Sequence, residues 1–188
     1  MEPSSSKKTT GIWEFFKTIV TAVFIAVIIR TFAYEPFNIP SGSMIPTLLV
    51  GDYLFVSKFS YGYSKYSLPF APSIFSGRVF ANKPRRGDVF VFKKPTNTKI
   101  DYIKRLIGMP GETIQMVNGL VHIDGKPVAR EKIPGLKKKD AFGRQISVPQ
   151  YLVTLPNGVK HRIIELMGDK GPADNTGIFT VPKGHYFM

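Results

Sequence analysis

The sequence predicts one transmembrane helix near the N-terminus, followed by a mostly β domain of antiparallel sheet. Three observations lead to this fold class. An uncharged apolar run occupies residues 18–29. Fifteen Pro and 17 Gly among 188 residues favour short strands joined by turns over long helices. Asn-Gly and Asp-Gly dipeptides separate β-branched runs in the second half of the chain, as they do in β-hairpins.

The apolar run at residues 18–29 is by itself too short to cross a bilayer. Aromatic residues extend it on both sides, from Trp13 to Tyr34, as in the interfacial belts of membrane helices. Lys17 and Arg30 lie near its ends, where long side chains can reach the headgroups. The extended segment would be about 33 Å long as a helix, at ~1.5 Å per residue, which is enough to span.

Two alternatives to an uncleaved anchor are a cleaved signal peptide and a buried core helix. Arg30 falls where a cleavage region is normally small and neutral, which disfavours the signal peptide. A buried helix would need a domain large enough to surround it. We therefore predict a membrane anchor.

The predicted domains are a cytoplasmic tail at residues 1–11, the anchor at 12–34 and a β catalytic domain at 35–188. Basic residues on the short leading side predict a cytoplasmic N-terminus, which leaves the β domain outside the cytoplasm. We expect a single-pass protein of the inner (plasma) membrane. Residues 113–180 or so form a hairpin-rich insertion region within the β domain.

Several segments of the body read as strands. A β-branched and aromatic run at 88–93 predicts one strand, and 112–123 predicts a hairpin around Asn-Gly, continued by an Asp-Gly turn. Residues 151–166 predict another hairpin, and 178–188 the beginning of a third. Two segments lack this pattern: residues 58–87 suggest a loop near the membrane, and 132–144 a polar, Lys-rich excursion of unassigned role.

The composition limits the possible chemistry. The chain has no cysteine, which excludes disulfides, thiol catalysis and Cys-based zinc sites. A net charge of +13 would suit nucleic acid or an anionic membrane surface. The basic residues are scattered and no RNA-binding aromatic motif accompanies them. We therefore expect a solvated basic face or proximity to a membrane, and no nucleic-acid partner.

The candidate nucleophile lies just after the anchor. Residues 38–48 read Asn-Ile-Pro-Ser-Gly-Ser-Met-Ile-Pro-Thr-Leu, so two serines flank Gly42 on a turn whose φ angles Pro40 and Pro46 restrict. A hydroxyl held on a rigid turn suits nucleophilic attack once a base is near. The usual base is histidine. The three histidines, however, all lie in ordinary sheet contexts, so structural roles are expected for them. They are His122, His161 and His185.

Lys104 is the better candidate base. Strand alternation places it on the same face as Tyr102 and Leu106, an apolar setting for an ammonium group. Burial disfavours the charged form of a lysine and so makes a free amine available as a general base. Neighbouring Arg105 stays protonated and cannot serve. The residues alone leave open that Lys104 is a strand lysine whose ammonium reaches solvent.

Three segments behind the anchor resemble, in order, the conserved boxes of bacterial type I signal peptidases (leader peptidases). Residues 39–48 resemble the serine box, 86–92 the box that follows it, and 101–112 the lysine box. Residues 181–188 are similar to the lead-in to the last box. The resemblance implies the β catalytic domain of the signal-peptidase type and a membrane-bound serine endopeptidase that cleaves signal peptides from exported preproteins.

The resemblance also implies roles for individual residues. Ser43 would attack the scissile carbonyl and neutral Lys104 would take its proton. The backbone N–H of Ser43 and the hydroxyl of Ser41 would hold the oxyanion. The narrow substrate pockets, which select small side chains, would be lined by aliphatic and aromatic residues. These are Phe37, Ile39, Leu48 and Ile103. The expected partners are signal peptides and the phospholipid membrane; no cofactor or metal is expected.

The family's last box, a Gly-Asp-Asn-Arg-Asp-Asn-Ser-like segment, would follow Met188, so we expect an incomplete C-terminus that lacks the residues that orient the lysine and brace the site. One alternative is therefore a catalytically impaired fragment that acts at most as a membrane-tethered β binding module. Another is a soluble Ser/Lys self-cleaving repressor. That class would need a DNA-binding helical domain where this chain has its apolar anchor.

Overall fold

The computed structural model describes residues 7–68, 71–72, 76–139, 142–168 and 171–188, with the backbone alone for 7–10. Its first element is helix α1, Lys7–Phe32. Within α1, Gly11–Phe32 is long and apolar enough to cross a membrane, and all of its side chains are exposed except that of Thr31, which is 6% exposed. The remaining regular structure is almost entirely antiparallel β-sheet. The predicted fold class is confirmed.

The chain divides into two compact units. One comprises Met1–Phe37 and Tyr53–Lys83, and the other Asn38–Asp52 and Pro84–Met188. The first unit therefore contains most of the segment at residues 58–87 that the sequence suggested to be a loop. Part of that segment, residues 69–70 and 73–75, lies outside the described residues.

Strands β1 (Tyr34–Asn38) and β2 (Tyr53–Ser57) pair in a two-stranded sheet just after α1. The last carbonyls of a helix need partners from elsewhere. Here the hydroxyl of Tyr63 donates to the carbonyl of Phe32 at 2.8 Å. The mostly buried Lys58 amine lies 3.1 Å from Glu35 Oε2 and donates to the Ser67 carbonyl at 2.8 Å. These bonds fix the exit from the helix.

In the second unit, β3 (Val89–Lys94) and β4 (Asn97–Arg105) form an antiparallel hairpin. The register places Phe90 opposite Lys104 and Phe92 opposite Tyr102. The strand predicted at 88–93 is thus confirmed. Its partner is the strand that carries the candidate base.

A four-stranded sheet has the order β11–β5–β6–β7. Its strands are β5 (Thr113–Val117), β6 (Leu120–Ile123), β7 (Lys126–Pro127) and β11 (Phe179–Thr180). Asn118 and Gly119 both have positive φ, at 48° and 72°, as a type I′ turn requires. Asp124 and Gly125 repeat these values in the next turn. The predicted hairpin and the turn that continues it are confirmed.

The third predicted hairpin, at 178–188, is wrong. β11 pairs with β5, and Phe187 instead forms an isolated bridge with Gly108. The physical reason is burial: Val181 is only 4% exposed, and its N–H donates to the Glu112 carbonyl at 2.8 Å. The long-range burial of Val181, which directly follows β11, outweighs the local turn at residues 182–184.

A three-stranded sheet has the order β8–β9–β10. Its strands are β8 (Ala129–Lys139), β9 (Gln145–Thr154) and β10 (Lys160–Ile164). The β9–β10 pair confirms the hairpin predicted at 151–166. The polar excursion at 132–144 proves to be mostly strand, forming the outer part of a long β8–β9 hairpin. Residues 140–141 of that excursion lie outside the described residues.

The hydrophobic core of the second unit draws aliphatic side chains from the four-stranded and three-stranded sheets. They are Ile114, Ile123, Val128, Val153, Leu155 and Val181. Burial of each such side chain contributes about 1.5–3 kcal/mol before the entropy of ordering is counted. This core supports the base of the β3–β4 hairpin, because Ile107 and Phe187 pack against the same cluster.

Candidate active site

Ser43 lies on a short 3-10 helix, Gly42–Met44, within the loop between β1 and β2. Met44 is buried beneath it, and the Ile45 N–H closes the turn on the Gly42 carbonyl at 3.1 Å. A Cβ on Gly42 would lie 3.0 Å from Ile45 Cδ1, so a larger residue there would require the Ile45 side chain to move aside. Ser43 itself is exposed at the surface of this turn.

The loop that carries Ser43 is closed at its base by backbone hydrogen bonds. The Ile39 N–H donates to the Asp52 carbonyl, and the Gly51 N–H donates to the Ile39 carbonyl, both at 2.9 Å. The Asp52 carboxylate accepts from the Leu49 N–H at 2.8 Å. Ile39 is 1% exposed and anchors the loop in the interior. The serine is therefore presented on a short, well-connected loop.

Lys104 meets Ser43 directly. Its Nζ donates a hydrogen bond to Ser43 Oγ, across a sequence separation of 61 residues. The sequence predicted the two residue types and the face of the strand. The structure brings the two side chains into contact.

The ring of Tyr102 lies beside the amine of Lys104. The Tyr102 ring centroid lies 5.7 Å from Lys104 Nζ and 5.6 Å from Lys94 Nζ. Phe92 packs edge-on against Tyr102, with centroids 6.1 Å apart. A cation near a ring face is attracted by the ring quadrupole. The rings thus help fix the direction of the Lys104 amine. Tyr102 was predicted to share the face of Lys104, whereas Lys94 was not anticipated.

The strand that carries Lys104 is braced where it ends. Leu106 is fully buried, and the Arg105 guanidinium donates to the Gly87 carbonyl at 2.6 Å. Burial lowers the pKa of the Arg105 guanidinium from its usual value. These contacts hold the lysine-bearing strand against the segment that precedes β3.

A second brace joins Arg86 and Glu112, whose side chains are only 10% and 21% exposed. The Arg86 guanidinium donates to Glu112 Oε1 and to the Ile107 carbonyl. Glu112 Oε2 accepts from the Met109 N–H at 2.7 Å. The sequence alone suggested no individual role for Arg86 or Glu112. The available signal was a basic residue, Arg86, shortly before β3 and an acidic residue, Glu112, shortly after β4, because a hairpin brings its two chain ends together.

Ser41 precedes the 3-10 helix with an extended backbone, φ −136° and ψ 151°. Its side chain makes no hydrogen bond that caps the helix, and the residue is exposed. A serine at this position usually caps the helix start. Its hydroxyl therefore remains available to another acceptor near Ser43.

The predicted pocket residues are divided between the two compact units. Ile39, Leu48 and Ile103 belong to the unit that contains Ser43 and Lys104, and Ile39 and Ile103 are buried. Leu48 is half-buried, and its N–H donates to the Met44 carbonyl at 3.0 Å. Phe37 belongs to the other unit. Buried aliphatic residues therefore lie close in sequence to both Ser43 and Lys104.

None of the three histidines is paired with Ser43 in the described residues. Ring nitrogens of His122 and His185 lie 3.1 Å and 3.2 Å from the backbone carbonyls of Leu120 and Lys183. His161 is partly buried on β10; burial, and secondarily the positive charge of Arg105, lowers its pKa to about 4. Within the described ranges, no group of three or more His, Asp or Glu side chains is arranged to hold a metal ion.

This arrangement pairs a surface hydroxyl with a primary amine. An amine in its free form can accept the serine proton during nucleophilic attack and return it to a leaving group. The exposed turn leaves access for an extended peptide. The site therefore has the parts needed for acyl transfer.

Comparison with known proteins also indicates a peptidase. A family model described as signal peptidase, peptidase S26, matches residues 12–188. The signal peptidase I of Rickettsia typhi (strain ATCC VR-144 / Wilmington) is 38% identical over 195 residues, covering 100% of this chain and 72% of the relative. That of Rickettsia prowazekii (strain Madrid E) is 41% identical over 180 residues, covering 92% and 67%. That of Rickettsia canadensis (strain McKiel) is 39% identical over 192 residues, covering 98% and 70%.

Proposed function

Because the chain belongs to the signal peptidase family, peptidase S26, and is a hydrolase of that family, we propose that it removes signal peptides with a serine–lysine dyad. Its substrates are exported preproteins, which it cleaves on the carboxyl side of the N-terminal signal. The observation that carries the mechanism is the hydrogen bond between Lys104 Nζ and Ser43 Oγ. No histidine is assigned a part in the reaction.

The first half of the reaction forms an acyl-enzyme. Ser43 Oγ attacks the scissile carbonyl carbon while its proton passes to the free amine of Lys104. The Ser43 N–H and the Ser41 hydroxyl donate to the oxyanion of the tetrahedral intermediate. The C–N bond then breaks, and the Lys104 ammonium gives its proton to the departing amine. The mature protein leaves with a new N-terminus.

The second half releases the signal peptide. The Lys104 amine takes a proton from a water molecule, which attacks the ester carbonyl carbon. The same two donors hold the oxyanion again. Collapse breaks the ester bond and returns the proton to Ser43 Oγ. The signal peptide leaves with a free carboxylate, and the enzyme is regenerated.

Substrate selection belongs to the apolar residues beside the dyad. Ile39 and Leu48 lie in the loop that carries Ser43, and Ile103 immediately precedes Lys104. Buried aliphatic walls of this kind leave room for small side chains near the cleaved bond and exclude large ones. The role of Phe37 rests on the family resemblance alone.

Membrane attachment rests on α1 and on the strands after it. Gly11–Phe32 is apolar enough to span. Beyond it, Tyr34 is 45%, Tyr53 82% and Phe55 75% exposed, a set of aromatic side chains suited to the headgroup region. We assign residues 1–11 to a cytoplasmic tail, 12–34 to the anchor and 35–188 to an extracytoplasmic catalytic domain.

The test is cleavage of a preprotein by purified chain in phospholipid vesicles, followed as product formation over time. Ser43→Ala and Lys104→Met should each lower kcat/KM by at least ~10⁴-fold, because each removes one member of a unit that acts together. The matched control is Lys94→Met, which removes the other ammonium beside Tyr102 and should leave cleavage near the wild-type rate. Turnover retained in either dyad variant would contradict the mechanism.

A further inference from the structure

The turn that joins β9 to β10 contacts the segment just before β3. It contains Pro156, Asn157 and Gly158, and it follows Leu155, a core residue that is 2% exposed. The side-chain amide of Asn157 donates from Nδ2 to the Arg86 carbonyl at 2.8 Å, across 71 residues of sequence. The mechanism proposed above uses no residue of this turn. The turn nevertheless reaches the segment against which the lysine strand is held.

The side chain of Asn157 has a separate partner for each of its two polar atoms. Its Oδ1 accepts a long hydrogen bond of 3.4 Å from the Val159 N–H, as asparagine often does in turns. Two backbone bonds close the same turn: the Gly158 N–H donates to the Leu155 carbonyl at 2.8 Å, and the Leu155 N–H donates to the Val159 carbonyl at 2.9 Å. The turn therefore uses only the oxygen of the side chain. The nitrogen donor serves the Arg86 carbonyl.

Val159 makes a second contact between the same two segments. Gly87 has a φ of +96°, and a Cβ there would lie 2.6 Å from Val159 Cγ1. Glycine thus permits both the left-handed backbone and its close approach to the valine side chain. The turn holds residues 86 and 87 through one polar and one apolar contact. We call Asn157 and Val159 the turn clamp.

The segment held by the turn clamp is bonded in turn to the strand that carries Lys104. The Arg105 guanidinium donates to the Gly87 carbonyl at 2.6 Å, and the Gly87 N–H donates to the Leu106 carbonyl at 2.8 Å. Arg105 directly follows Lys104 in β4. At the opposite end of the β3–β4 hairpin, residues 95–100 are all exposed. The direction of the Lys104 side chain therefore depends on how the Gly87 end of the hairpin is held.

We propose that Asn157 is a positioning residue for the dyad, which acts through the Arg86 carbonyl and Gly87 on the placement of Lys104. The proposal rests on the serine–lysine mechanism proposed above. A displacement of about 1 Å in a reacting group can lower a rate by ~10²-fold, so a distant hydrogen bond that prevents such a shift contributes to kcat. The insertion region would thereby support the reaction without touching the substrate.

The test compares Asn157→Asp with the wild-type chain in phospholipid vesicles. The substitution keeps the shape of the side chain and the oxygen that binds the Val159 N–H. It replaces the nitrogen donor with an oxygen that only accepts and that repels the Arg86 carbonyl. We expect kcat for preprotein cleavage to fall by between ~10-fold and ~100-fold, with KM changed by less than about twofold.

Asn118→Asp is the matched control. Asn118 is an exposed asparagine that also precedes glycine, in the turn between β5 and β6. The control therefore adds the same negative charge to a hairpin turn of the same unit. Both kcat and KM should stay at their wild-type values.

Two further variants separate positioning from a general effect on stability. Asn157 is exposed, so all of its variants should fold. Asn157→Ala removes the turn acceptor as well as the donor, and its kcat should fall by a factor similar to that of Asn157→Asp although its urea midpoint differs. Asn157→Gln keeps an amide donor on a longer side chain and should recover part of kcat. Activity would then follow the donor and not the urea midpoint.

The rate at which a β-lactam-type acylator modifies Ser43 gives an independent readout. This small molecule reacts with the dyad without a bound peptide, so its rate reports the placement of the serine and its base. We expect the acylation rate of Asn157→Asp to fall in parallel with kcat. A normal acylation rate beside a raised KM would assign Asn157 to substrate binding and overturn the proposal.

Other outcomes would also overturn it. A wild-type kcat in Asn157→Asp would exclude a positioning role, as would losses of activity that follow the urea midpoints of the three Asn157 variants. Failure of the serine–lysine mechanism gives a different result, because Ser43→Ala and Lys104→Met would then retain turnover. Inactive dyad variants beside a fully active Asn157→Asp would reject the positioning role alone.

Discussion

At the scale of single residues, the site depends on how a short loop presents Ser43 to one strand lysine. The loop is closed by hydrogen bonds between Ile39 and the pair Gly51 and Asp52. The lysine is directed by the ring of Tyr102 beside it. Neither feature forms a bond to substrate. Both keep the Lys104 amine close to the Ser43 hydroxyl. In the proposed mechanism, this short separation favours proton transfer between the two groups.

The proposed oxyanion role of Ser41 gives the first residue-scale prediction. Ser41→Ala should lower kcat by about 10²–10³-fold with little change in KM, because the donor acts mainly on charge that develops in the transition state. Steady-state cleavage of a preprotein measures both constants. Ser41 is exposed and its side chain does not cap the 3-10 helix, so the substitution should not unfold the protein. A loss of folding would therefore not explain this effect.

Ser41→Thr is the matched control, since it keeps the hydroxyl and adds one methyl group. We expect it to recover most of the activity that Ser41→Ala loses. Equal losses in both variants would indicate that the position is sensitive to shape and that its hydroxyl has no part in the reaction.

Much of the site was accessible from sequence at this scale. Strand alternation placed Lys104 and Tyr102 on one face, and the two serines stood out because of the glycine between them. The contact between Ser43 and Lys104 could not be derived from the residues alone, because it depends on tertiary packing across 61 positions. Lys94 was missed for a related reason: the register shift after Lys93 brings it beside Tyr102.

At the scale of elements, the lysine strand is held at its end by contacts with three other segments. Arg86 and Glu112 join the residues before β3 to the turn before β5. Arg105 joins the end of β4 to Gly87, and its charge acts on His161 of β10. Removing one residue of a mostly buried ion pair leaves the charge of the other residue uncompensated. These contacts therefore make the direction of β4 depend on the neighbouring sheet.

His161 predicts how the stability of the second unit depends on pH. Its folded pKa is lowered to about 4, whereas the unfolded imidazole titrates near 6.5. Between these values the unfolded state binds a proton that the folded state does not, so stability falls as pH decreases from about 6.5 to 4. Above about 6.5 the contribution is fully present. Urea unfolding of the detergent-solubilised chain at several pH values measures it.

Replacing His161 with Gln removes the titrating group and should flatten this part of the stability profile, by about 1–2 kcal/mol across the window after allowance for solvent screening. His185→Gln, which removes an exposed imidazole, is the control. A wild-type slope preserved in His161→Gln would assign the acid sensitivity to other groups. Within the part of the chain that the structure describes, the buried Nδ1 of His161 has no hydrogen-bond partner, consistent with a neutral ring.

Some of these elements could be predicted from the local sequence, and others could not. The hairpins at Asn118 and Asp124 were predictable because their turns require positive φ, a local property that the sequence encodes directly. The pairing of Phe179 with β5 was not, since it accompanies the long-range burial of the neighbouring Val181. The long β8–β9 ladder was also missed. Pro134, Gly135 and a lysine run interrupt its alternation, and a β-bulge accommodates them.

At the scale of the molecule, the chain combines an apolar helix, an exposed aromatic sheet and a second, β unit that contains Ser43 and Lys104. The apolar helix was predictable because length, composition and flanking aromatics all act within one segment. The division into two units was not. It depends on residues 53–83 packing with the helix side of the chain, and their sequence has no regular period.

For the whole molecule, we predict a membrane-attached enzyme that forms its acyl-enzyme intermediate on a single serine. That claim is tested most directly by mapping the covalent bond. Chain in phospholipid vesicles is treated with a β-lactam-type serine acylator, digested and analysed by mass spectrometry. We expect one acyl group, on Ser43 and not on Ser41, and none in the Lys104→Met variant. Acylation at another serine, or equal labelling of Ser43 without Lys104, would contradict the account.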